Sequence, residues 1–575
     1  MTAAARADQV ALRTLRDQAT ITFGEYSERV RMLAGGLHAL GVGRGATVGL
    51  MLANRPEFHL LDTAAMHLGA APFSIYNTSS PEQIAFVLGD ARCAVVAVQA
   101  AFADTMREAI EQTPTVEHLI LLDAELDGAL TLEQVQSGST EGFDFDAAWR
   151  AVTPDDLVTL IYTSGTTGPP KGVQLTHANE LAQFRALDAA APQWRASGGS
   201  VISYLPTAHI ADRALSHYEQ MISGVTVTTC PDPTQVFAHT IDARPTRFGG
   251  VPRVWEKLKA ALEASIAAEP DEKKRAATRA AIDLGLRKVR AEQAGEPVPA
   301  ELAQAWARAD AAVFSTIRAR LGFDRCESYV IGAAPAPLEL FEFFAAIGIP
   351  ICEVWGMSEI SCVGTLVPPD GLRFGTVGKA LPGVELKLAD DGELLVRGPT
   401  VMAGYRNQPA MTAEAVDGDG WLHTGDVCSL DLDGYLRIID RKDEIFKTSG
   451  GKFISPARVE TAVMRSPFIA QAMVFGSGMA HPAALISPNW TALCSRMEIP
   501  PGTPPAELAA RDDVRRFVAA ECTRKTADLA AFEQIRWAGV LARDLTIEDG
   551  ELTPTLKLKR RVIEARYASL VDMST

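Results

Sequence analysis

The chain has 575 residues, of which 47% are hydrophobic and 22% charged, a balance typical of a folded protein rather than a disordered chain. Its 55 Lys and Arg residues against 71 Asp and Glu residues give a formal net charge of −16, which argues against binding to nucleic acid and gives no support to binding at anionic membrane surfaces. The eight cysteines form no Cys-x-x-Cys pair, which argues against a disulfide scaffold or a Cys-rich zinc site and favours a reducing cytoplasm.

The first part of the chain alternates helical and strand patterns. The opening residues carry charges and no apolar segment, so we expect no secretory signal, and no run of roughly 18 apolar residues predicts a membrane-spanning helix. A capping signal at Thr22 begins a predicted helix that extends to Leu40. Short buried-strand patterns follow at 47–52, 72–76, 94–98 and 119–122. Strands that alternate with helices in this way predict βαβ units and largely parallel sheets.

A loop rich in glycine and hydroxyl groups follows a predicted strand at 157–162. The loop consists of Thr163, Ser164, Gly165, Thr166, Thr167 and Gly168, and Lys171 comes three residues later. Glycines let backbone N–H groups converge on an anion, hydroxyls add donors, and lysine adds positive charge. The glycine spacing differs from that of a Walker loop. We therefore predict a site for nucleotide phosphates at 163–171, with a flexible surface turn as the alternative.

The later part of the chain changes character twice. Residues 257–320 are rich in alanine and charge and are predicted to be helical nearly throughout. Turn sequences at 390–392 and 431–434 predict two β-hairpins. Five charged residues at 440–444 then follow an apolar strand, which is a poor core segment. We place a domain boundary there, between residues 1–440 and 441–575.

The loop at 163–171 resembles the signature of the adenylate-forming (AMP-binding) enzymes, which include acyl-CoA synthetases, luciferases and peptide-synthetase adenylation domains. Further segments occur in that family's order: Gly-Ala-Ala-Pro at 332–335, Trp-Gly-Met-Ser-Glu at 355–359, Trp-Leu-His-Thr-Gly-Asp at 421–426 and Asp-Arg-Lys-Asp at 440–443. Segments at 203–209, 249–255 and 552–560 look like the long-chain fatty acyl-CoA synthetase branch. The resemblance implies an α/β fold with a large N-terminal domain of parallel and mixed sheets with flanking helices, plus a small mobile α+β C-terminal domain.

The resemblance also implies a reaction in two steps. A medium- or long-chain fatty acid attacks the α-phosphate of ATP with Mg²⁺ present, and acyl-AMP and pyrophosphate form. The thiol of CoA then displaces AMP. The chain would be a long-chain fatty acid–CoA ligase, an acid–thiol ligase of cytoplasmic lipid metabolism, with fatty acid, ATP and CoA as its partners. Because the substrate is apolar, peripheral contact with a membrane is compatible with this function. The sequence does not indicate an oligomeric state.

Site residues follow from the same resemblance. Thr163 and Glu359 would bind Mg²⁺, a hard cation that prefers oxygen ligands. The loop residues already named, with Lys171, would hold the pyrophosphate. The remaining residues expected around the nucleotide are Gly332, Ala333, Ala334, Trp355, Gly356, Met357, Ser358, Asp426 and Arg441. Trp355 would stack on adenine where relatives usually carry Tyr, and Asp426 would accept hydrogen bonds from the ribose. A surface carboxylate at 359 and a turn aspartate at 426 are the alternatives.

Lys557 is predicted to be the catalytic lysine of the C-terminal domain, stabilising the charge that develops on the α-phosphate during adenylation. Lys559 is the second candidate, and a solvated basic segment is the alternative to both. For the thioester step, Lys442 or Asp443 would be the pivot of a domain rotation. Ser449, Gly450 and Gly451 would then line the pantetheine tunnel.

The acyl pocket has weaker sequence signals. Small residues at 249–250 and 332–334 would leave an apolar tunnel open. His209 would gate this tunnel or orient the carboxylate, with a buried core histidine as the alternative. Trp255 is either a gate or a core residue.

Three rival functions remain at this point. The chain is alternatively a fatty acyl-AMP ligase that transfers the acyl group to a carrier protein, although the segment at 449–451 favours CoA. An oxygenase of the luciferase kind and a catalytically inactive binding protein are the other two. The long-chain-type segments argue against the oxygenase. The complete set of predicted site residues argues against the inactive binding protein.

Overall fold

The computed structural model of the protein describes residues 2–138, 142–163, 169–195, 198–500, 502–553 and 557–572. The α-helices are α1 (Thr2–Ala5), α2 (Phe23–Ala39), α3 (Pro56–His67), α4 (Pro81–Ala91), α5 (Ala103–Glu111), α6 (Leu132–Gln136), α7 (Phe145–Arg150), α8 (His177–Ala190), α9 (Ile210–Asp212), α10 (Glu219–Ser223), α11 (Val236–Ala243), α12 (Pro252–Ala267), α13 (Glu272–Gln293), α14 (Ala300–Ala309), α15 (Ser315–Arg320), α16 (Leu338–Ala346), α17 (Pro409–Ala415), α18 (Pro456–Val463), α19 (Trp490–Arg496), α20 (Pro505–Ala510), α21 (Asp512–Lys525), α22 (Arg560–Arg566) and α23 (Ala568–Asp572).

The strands are β1 (Val10–Arg13), β2 (Thr20–Thr22), β3 (Thr47–Met51), β4 (Ala71–Ser74), β5 (Val95–Val98), β6 (His118–Leu121), β7 (Leu130–Thr131), β8 (Leu157–Thr163), β9 (Lys171–Thr176), β10 (Ser200–Ser203), β11 (Thr226–Thr229), β12 (Arg247–Gly250), β13 (Ser328–Ile331), β14 (Ile351–Trp355), β15 (Thr365–Leu366), β16 (Lys379–Ala380), β17 (Glu385–Leu388), β18 (Glu393–Arg397), β19 (Gly404–Tyr405), β20 (Leu422–Leu430), β21 (Leu436–Arg441), β22 (Phe446–Lys447), β23 (Phe453–Ile454), β24 (Ile469–Phe475), β25 (Ala483–Pro488) and β26 (Trp537–Val540). Turns of π-helix occupy Arg213–Tyr218 and Asp310–Phe314. None of the described helices has the length and apolar composition to cross a membrane.

The predicted βαβ units form a parallel sheet in the order β4-β3-β5-β6-β7. Its first flanking helix, α2, begins with a capping box in which the Thr22 hydroxyl accepts from the Glu25 N–H while the Glu25 carboxylate accepts from the Thr22 N–H. These bonds satisfy amide groups that the first turn of a helix leaves unpaired. The apolar face of α2 and strand β3 share one buried core.

Two further sheets position the candidate site. One has the order β10-β11-β1-β2, and the other has the order β12-β13-β14-β15-β16. Strands β12, β13 and β14 run parallel, so their carboxyl ends meet at one edge, where ligands commonly bind in α/β proteins. An antiparallel three-stranded sheet, β19-β9-β8, lies beside this edge and completes the mixed architecture.

The alanine-rich segment is helical as predicted and forms α12 to α15. Helix α13 packs against α16, which follows β13. The two helices approach closely at Gly285, where a Cβ atom would lie 2.5 Å from the Ala346 carbonyl oxygen. Glycine is therefore required at that contact.

Both predicted hairpins are present. Strands β17 and β18 pair across the turn at 390–392, and β20 and β21 pair across the turn at 431–434. Together they form the antiparallel sheet β17-β18-β20-β21.

The last part of the chain has its own hydrophobic cores. Sheet β24-β25-β26 packs against α18 and α21, and the buried clusters there draw their members from residues after Glu444. Helix α22 is joined to this body by Arg560, whose guanidinium bonds to Glu460 at 2.5 and 2.9 Å and to Glu444 at 3.0 Å. The fold class predicted from the sequence is confirmed.

Candidate active site

The segments that follow β13 and β14 form the centre of the site. Ala333 has a φ angle of 71°, a left-handed conformation that residues with a side chain rarely adopt. Gly356 is required by close packing, because a Cβ atom there would lie 1.6 Å from the Cys362 carbonyl oxygen. Backbone outliers such as Ala333 concentrate at functional sites. Both residues lie in the segments predicted to contact the nucleotide. Their neighbours are Gly332, Ala334, Met357 and Ser358.

The phosphate-binding prediction concerns the hairpin formed by β8 and β9. Thr163 ends β8 and pairs with Lys171, the first residue of β9. The Lys171 ammonium lies 5.2 Å from the centre of the Tyr405 ring. The connecting residues Ser164, Gly165, Thr166, Thr167 and Gly168 were also predicted to hold phosphates and lie outside the described residues. The hairpin thus presents a hydroxyl and a cation side by side at its end.

Glu359 is joined to the same hairpin through Tyr405. The Tyr405 hydroxyl donates to Oε1 of Glu359 at 2.9 Å, and Tyr405 lies on β19, which pairs with β9. Glu359 is 8% exposed, so the alternative of a surface carboxylate is wrong. Sequence reasoning missed Tyr405, because it belongs to none of the recognised segments and its role depends on a tertiary contact.

The oxygen donors at this hairpin suit Mg²⁺. Magnesium is commonly held by one or two carboxylates together with substrate phosphates. The Thr163 hydroxyl and the Glu359 carboxylate are hard oxygen ligands of that kind, connected by the contacts just described. Within the described residues, no group of three or more His, Cys, Asp or Glu side chains is placed to hold a metal ion. The residues present therefore fit a metal that arrives with a nucleotide.

Asp426 receives hydrogen bonds from two predicted nucleotide residues. The Trp355 indole N–H donates to Oδ2 of Asp426 at 2.8 Å, and Arg441 donates to Oδ1 at 3.0 Å. Asp426 and Arg441 face each other across β20 and β21. The carboxylate keeps acceptor capacity on each oxygen, as bonding to ribose hydroxyls would require. The Trp355–Asp426 bond was not predicted, and it gives tryptophan a role that phenylalanine could not fill.

His209 lies after β10 at the entry to α9. Its Nδ1 accepts from the Ala211 N–H at 3.1 Å, so the neutral ring carries its proton on Nε2. Burial and, to a smaller extent, the positive charge of Lys557 lower the pKa of His209 to about 4. Lys557 therefore lies close enough to His209 to act on it electrostatically. The backbone N–H groups of both candidate lysines are bonded: Lys557 donates to Oγ1 of Thr553 and Lys559 to the Glu551 carbonyl oxygen.

The residues predicted to line the pantetheine tunnel do not lie at this site in the structure. Ser449, Gly450 and Gly451 lie in the exposed turn between β22 and β23. The Ser449 N–H donates to the Met479 carbonyl oxygen at 2.8 Å, within the last part of the chain. In this arrangement the charge of Lys557 acts on His209, while the glycine turn faces solvent.

An inner cavity of about 110 Å³ adjoins the site between α8, the π-helical turn at 213–218 and strands β10, β12 and β13. Its walls are mainly apolar and include Phe184, Leu187, Phe248 and Val330, with Gly249 among the predicted small residues. Trp255 is fully buried, and its indole donates to the Val330 carbonyl oxygen at 3.3 Å. This placement supports the core alternative for Trp255.

Known proteins are similar to this chain over most of its length. A family model described as AMP-binding enzyme matches residues 1–406, and one described as AMP-binding enzyme C-terminal domain matches residues 442–573. The long-chain-fatty-acid–CoA ligase FadD15 of Mycobacterium bovis is 34% identical over 96% of this chain and 92% of its own length. A Mycobacterium tuberculosis protein provisionally named fatty-acid–CoA ligase FadD11 is 46% identical over 77% of this chain and 78% of its own length.

Solved structures share the fold. The anthranilate CoA ligase AuaEII in complex with anthranoyl-AMP is 21% identical, with a TM-score of 0.72 over 99% of this chain and 96% of that one. The o-succinylbenzoate CoA synthetase MenE of Bacillus subtilis in complex with AMP is 23% identical, with a TM-score of 0.71 over 97% of this chain and 96% of that one. The match of the family model to most of the chain, with a relative of similar length, shows that the chain belongs to the AMP-binding enzyme family.

Proposed function

We propose that this protein is an ATP-dependent fatty acid–CoA ligase, acting on a medium- or long-chain acid. The observation that carries the proposal is that the positive charge of Lys557 acts on His209, which follows β10, a strand that lines the apolar cavity. It brings a cation from the end of the chain to the point where a carboxylate would meet the nucleotide. The fatty-acid–CoA ligase names of the relatives support the same acid and acceptor.

In the first step, a fatty acid carboxylate attacks the α-phosphate of ATP. Lys557 stabilises the negative charge that develops on the phosphate and the attacking oxygen. His209 is neutral near pH 7 because of its low pKa, so it offers its Nε2–H to the carboxylate without adding charge. Lys171 and the loop after Thr163 hold the departing pyrophosphate.

The residues around Asp426 bind the nucleotide. Trp355 and Arg441 hold the Asp426 carboxylate in place, which leaves acceptor positions for the ribose hydroxyls. Thr163 and Glu359 would hold Mg²⁺, which, when bound, neutralises charge on the phosphates. Tyr405 fixes the orientation of Glu359 for this task.

In the second step, the CoA thiol attacks the acyl carbon and AMP leaves. We propose that residues 441–575 rotate as one body about Lys442 or Asp443, which withdraws Lys557 and brings Ser449, Gly450 and Gly451 to the site. The glycine turn is exposed while the charge of Lys557 acts on His209, which supports two alternating arrangements. We also propose a cytoplasmic location, supported by eight cysteines that are all free thiols.

Exchange of labelled pyrophosphate into ATP tests the first step. We expect exchange that depends on fatty acid and Mg²⁺, and a CoA thioester with release of AMP when CoA is added. Absence of exchange with every acid would refute the proposal. Adenylate formation without a thioester in the presence of CoA would instead favour the alternative, transfer of the acyl group to a carrier protein.

A further inference from the structure

The inner cavity has a defined direction. Strands β12 and β13 run parallel, and their carboxyl ends carry the nucleotide segments. Arg247 and Ser328 are the first residues of these strands, and both line the cavity. The cavity therefore extends from the nucleotide edge of the sheet toward the opposite edge. Three residues of β12, 247–249, line the cavity, which corresponds to roughly 10 Å of extended strand.

An ion pair closes the far end. The Arg247 guanidinium bonds to the Glu219 carboxylate, and both side chains line the cavity. Glu219 begins α10, directly after the π-helical turn that forms one wall. The two side chains are 14% and 10% exposed, so the pair is largely desolvated.

A growing hydrocarbon chain cannot pass this pair easily. Each added methylene gains a small hydrophobic free energy, whereas separating a desolvated ion pair leaves charges without their partner in a low-dielectric setting. The long Arg247 stem also fills the space that further carbons would need. Chain length is therefore limited by the position of the pair rather than by the apolar walls.

We propose that the Glu219–Arg247 pair is the end wall of the acyl-binding cavity and sets the longest fatty acid that the enzyme accepts. This inference rests on the proposed function. The pair lies roughly 10 Å from the nucleotide edge of the sheet, the length of an extended chain of roughly eight carbons, since a chain of single bonds advances about 1.2 Å per bond. The enzyme thus prefers medium-chain acids, and its activity falls for acids whose terminal carbons would reach Arg247.

The test is a series of saturated carboxylic acids, lengthened two carbons at a time, with kcat/KM measured for CoA thioester formation. The double variant Glu219→Ala/Arg247→Ala removes both charges together and so avoids a stranded ion. We expect the fall in kcat/KM to move to acids longer by about four carbons, because Arg247→Ala removes the four chain atoms from Cγ to Cζ. If the alanine pair does not fold, Glu219→Gln/Arg247→Val is expected to move the fall in the same direction.

Two controls separate volume from charge. Glu219→Gln/Arg247→Met keeps the volume of the pair but removes its charges, so it is expected to move the limit by less than the alanine pair does. Glu385→Ala/Arg397→Ala removes a cross-strand pair on the exposed sheet β17-β18-β20-β21, bonded at 3.1 and 2.7 Å, and should leave the chain-length profile unchanged.

Three results would overturn the inference. They are an unmoved limit in the alanine and valine variants, an equal shift in the volume-conserving variant, and a wild-type profile without a fall at long chains. If pyrophosphate exchange occurs with some acids and the limit does not move, this inference fails alone. If no acid of any length supports exchange, the proposed function itself fails.

Discussion

The predicted role of Lys557 in adenylation can be tested by replacing this one side chain. Replacing Lys557 with alanine removes a cation that would stabilise the adenylation transition state. We expect the first half-reaction to slow by roughly 10²- to 10³-fold, the scale of losing one such stabilising group. Thioester formation from preformed acyl-AMP should change much less. Single-turnover assays of the two half-reactions measure both rates.

The same variant gives a reading that does not depend on activity. Lys557 lowers the pKa of His209, so Lys557→Ala should raise it, while burial still holds it below the ordinary value. An NMR titration of the histidine measures the shift. Lys559→Ala is the matched control and should leave both the pKa and the first half-reaction nearly unchanged. The opposite ranking of the two variants would assign the role to Lys559.

Glu180 on α8 is a second residue with a measurable signature. Its carboxylate is 4% exposed, and neither oxygen has a hydrogen-bond partner within the described residues. Burial raises the pKa of Glu180 to about 8, although the nearby Arg213 opposes the shift. The native protein therefore holds a proton near neutral pH that the unfolded chain has released.

This proton makes stability depend on pH. Between the ordinary pKa of 4.5 and about 8, the free energy of unfolding falls as pH rises, by up to about 1.4 kcal/mol per pH unit. Glu180→Gln removes this slope, so the variant should gain stability relative to wild type between pH 4.5 and pH 8. Denaturant unfolding at the two pH values measures the gain. Glu108→Gln, on the exposed face of α5, should show none.

Sequence reasoning reached the residues that lie in recognisable segments. Thr163, Glu359 and Asp426 were assigned from local order and residue chemistry, and these role assignments stay predictions until they are tested. Tyr405 and Glu180 were out of reach, because what distinguishes them is contact or burial created by distant parts of the chain.

Among the elements, α3 and the π-helical turn at 213–218 are joined by a buried charge network. Asp62 on α3 accepts from Arg213 at 2.7 Å and pairs with His217 at 2.9 Å, and all three side chains are fully buried. Burial alone would raise the pKa of Asp62, but Arg213 and His217 lower it below its ordinary value. The network fixes the turn that forms one wall of the inner cavity.

Asp62→Asn should destabilise the protein strongly. It would leave Arg213 buried without its counter-charge, which costs about 3–5 kcal/mol in comparable pairs. Chemical denaturation followed by fluorescence measures the loss. Asp324→Asn is the control: Asp324 pairs with Arg244 near the surface, and its loss should cost less than about 1 kcal/mol. Equal costs for the two variants would contradict the importance of the buried network.

Most elements were predictable because their signals are local. The capping box at Thr22, the alternation of strands and helices, and both hairpin turns were read from short segments, and their ends shifted by a few residues at most. The π-helical turn at 213–218 was not predicted. Its geometry accompanies tertiary bonds such as those of Arg213, which no local pattern encodes.

On the scale of the whole molecule, ion pairs are formed at and just after the predicted pivot, Lys442 or Asp443. Lys442 bonds to Asp391 at 2.6 Å and to Glu393 at 3.0 Å, which ties it to the hairpin of β17 and β18. Glu444 bonds to Arg560 and belongs to the last body of the chain. Asp443 lies between these anchors, which supports it over Lys442 as the pivot. The boundary at 440 stays a prediction.

Asp443→Pro should separate the two steps. Proline fixes φ and would hinder the dihedral change that a rotation needs. We expect adenylation to continue and thioester formation to fall by at least tenfold, measured in separate half-reaction assays. Asp443→Ala keeps the backbone free and should preserve both steps. Equal losses in both steps for the proline variant would argue against a pivot at this position.

The solvent-facing turn between β22 and β23 has a practical consequence. Lys447 and Lys452 flank it and are exposed, and Phe453 beside them is 63% exposed. Trypsin should therefore nick the polypeptide here first in the arrangement described. If the turn enters the reaction cleft when CoA and a stable adenylate mimic are present, digestion should slow markedly, so that a stained gel would report which arrangement the enzyme occupies.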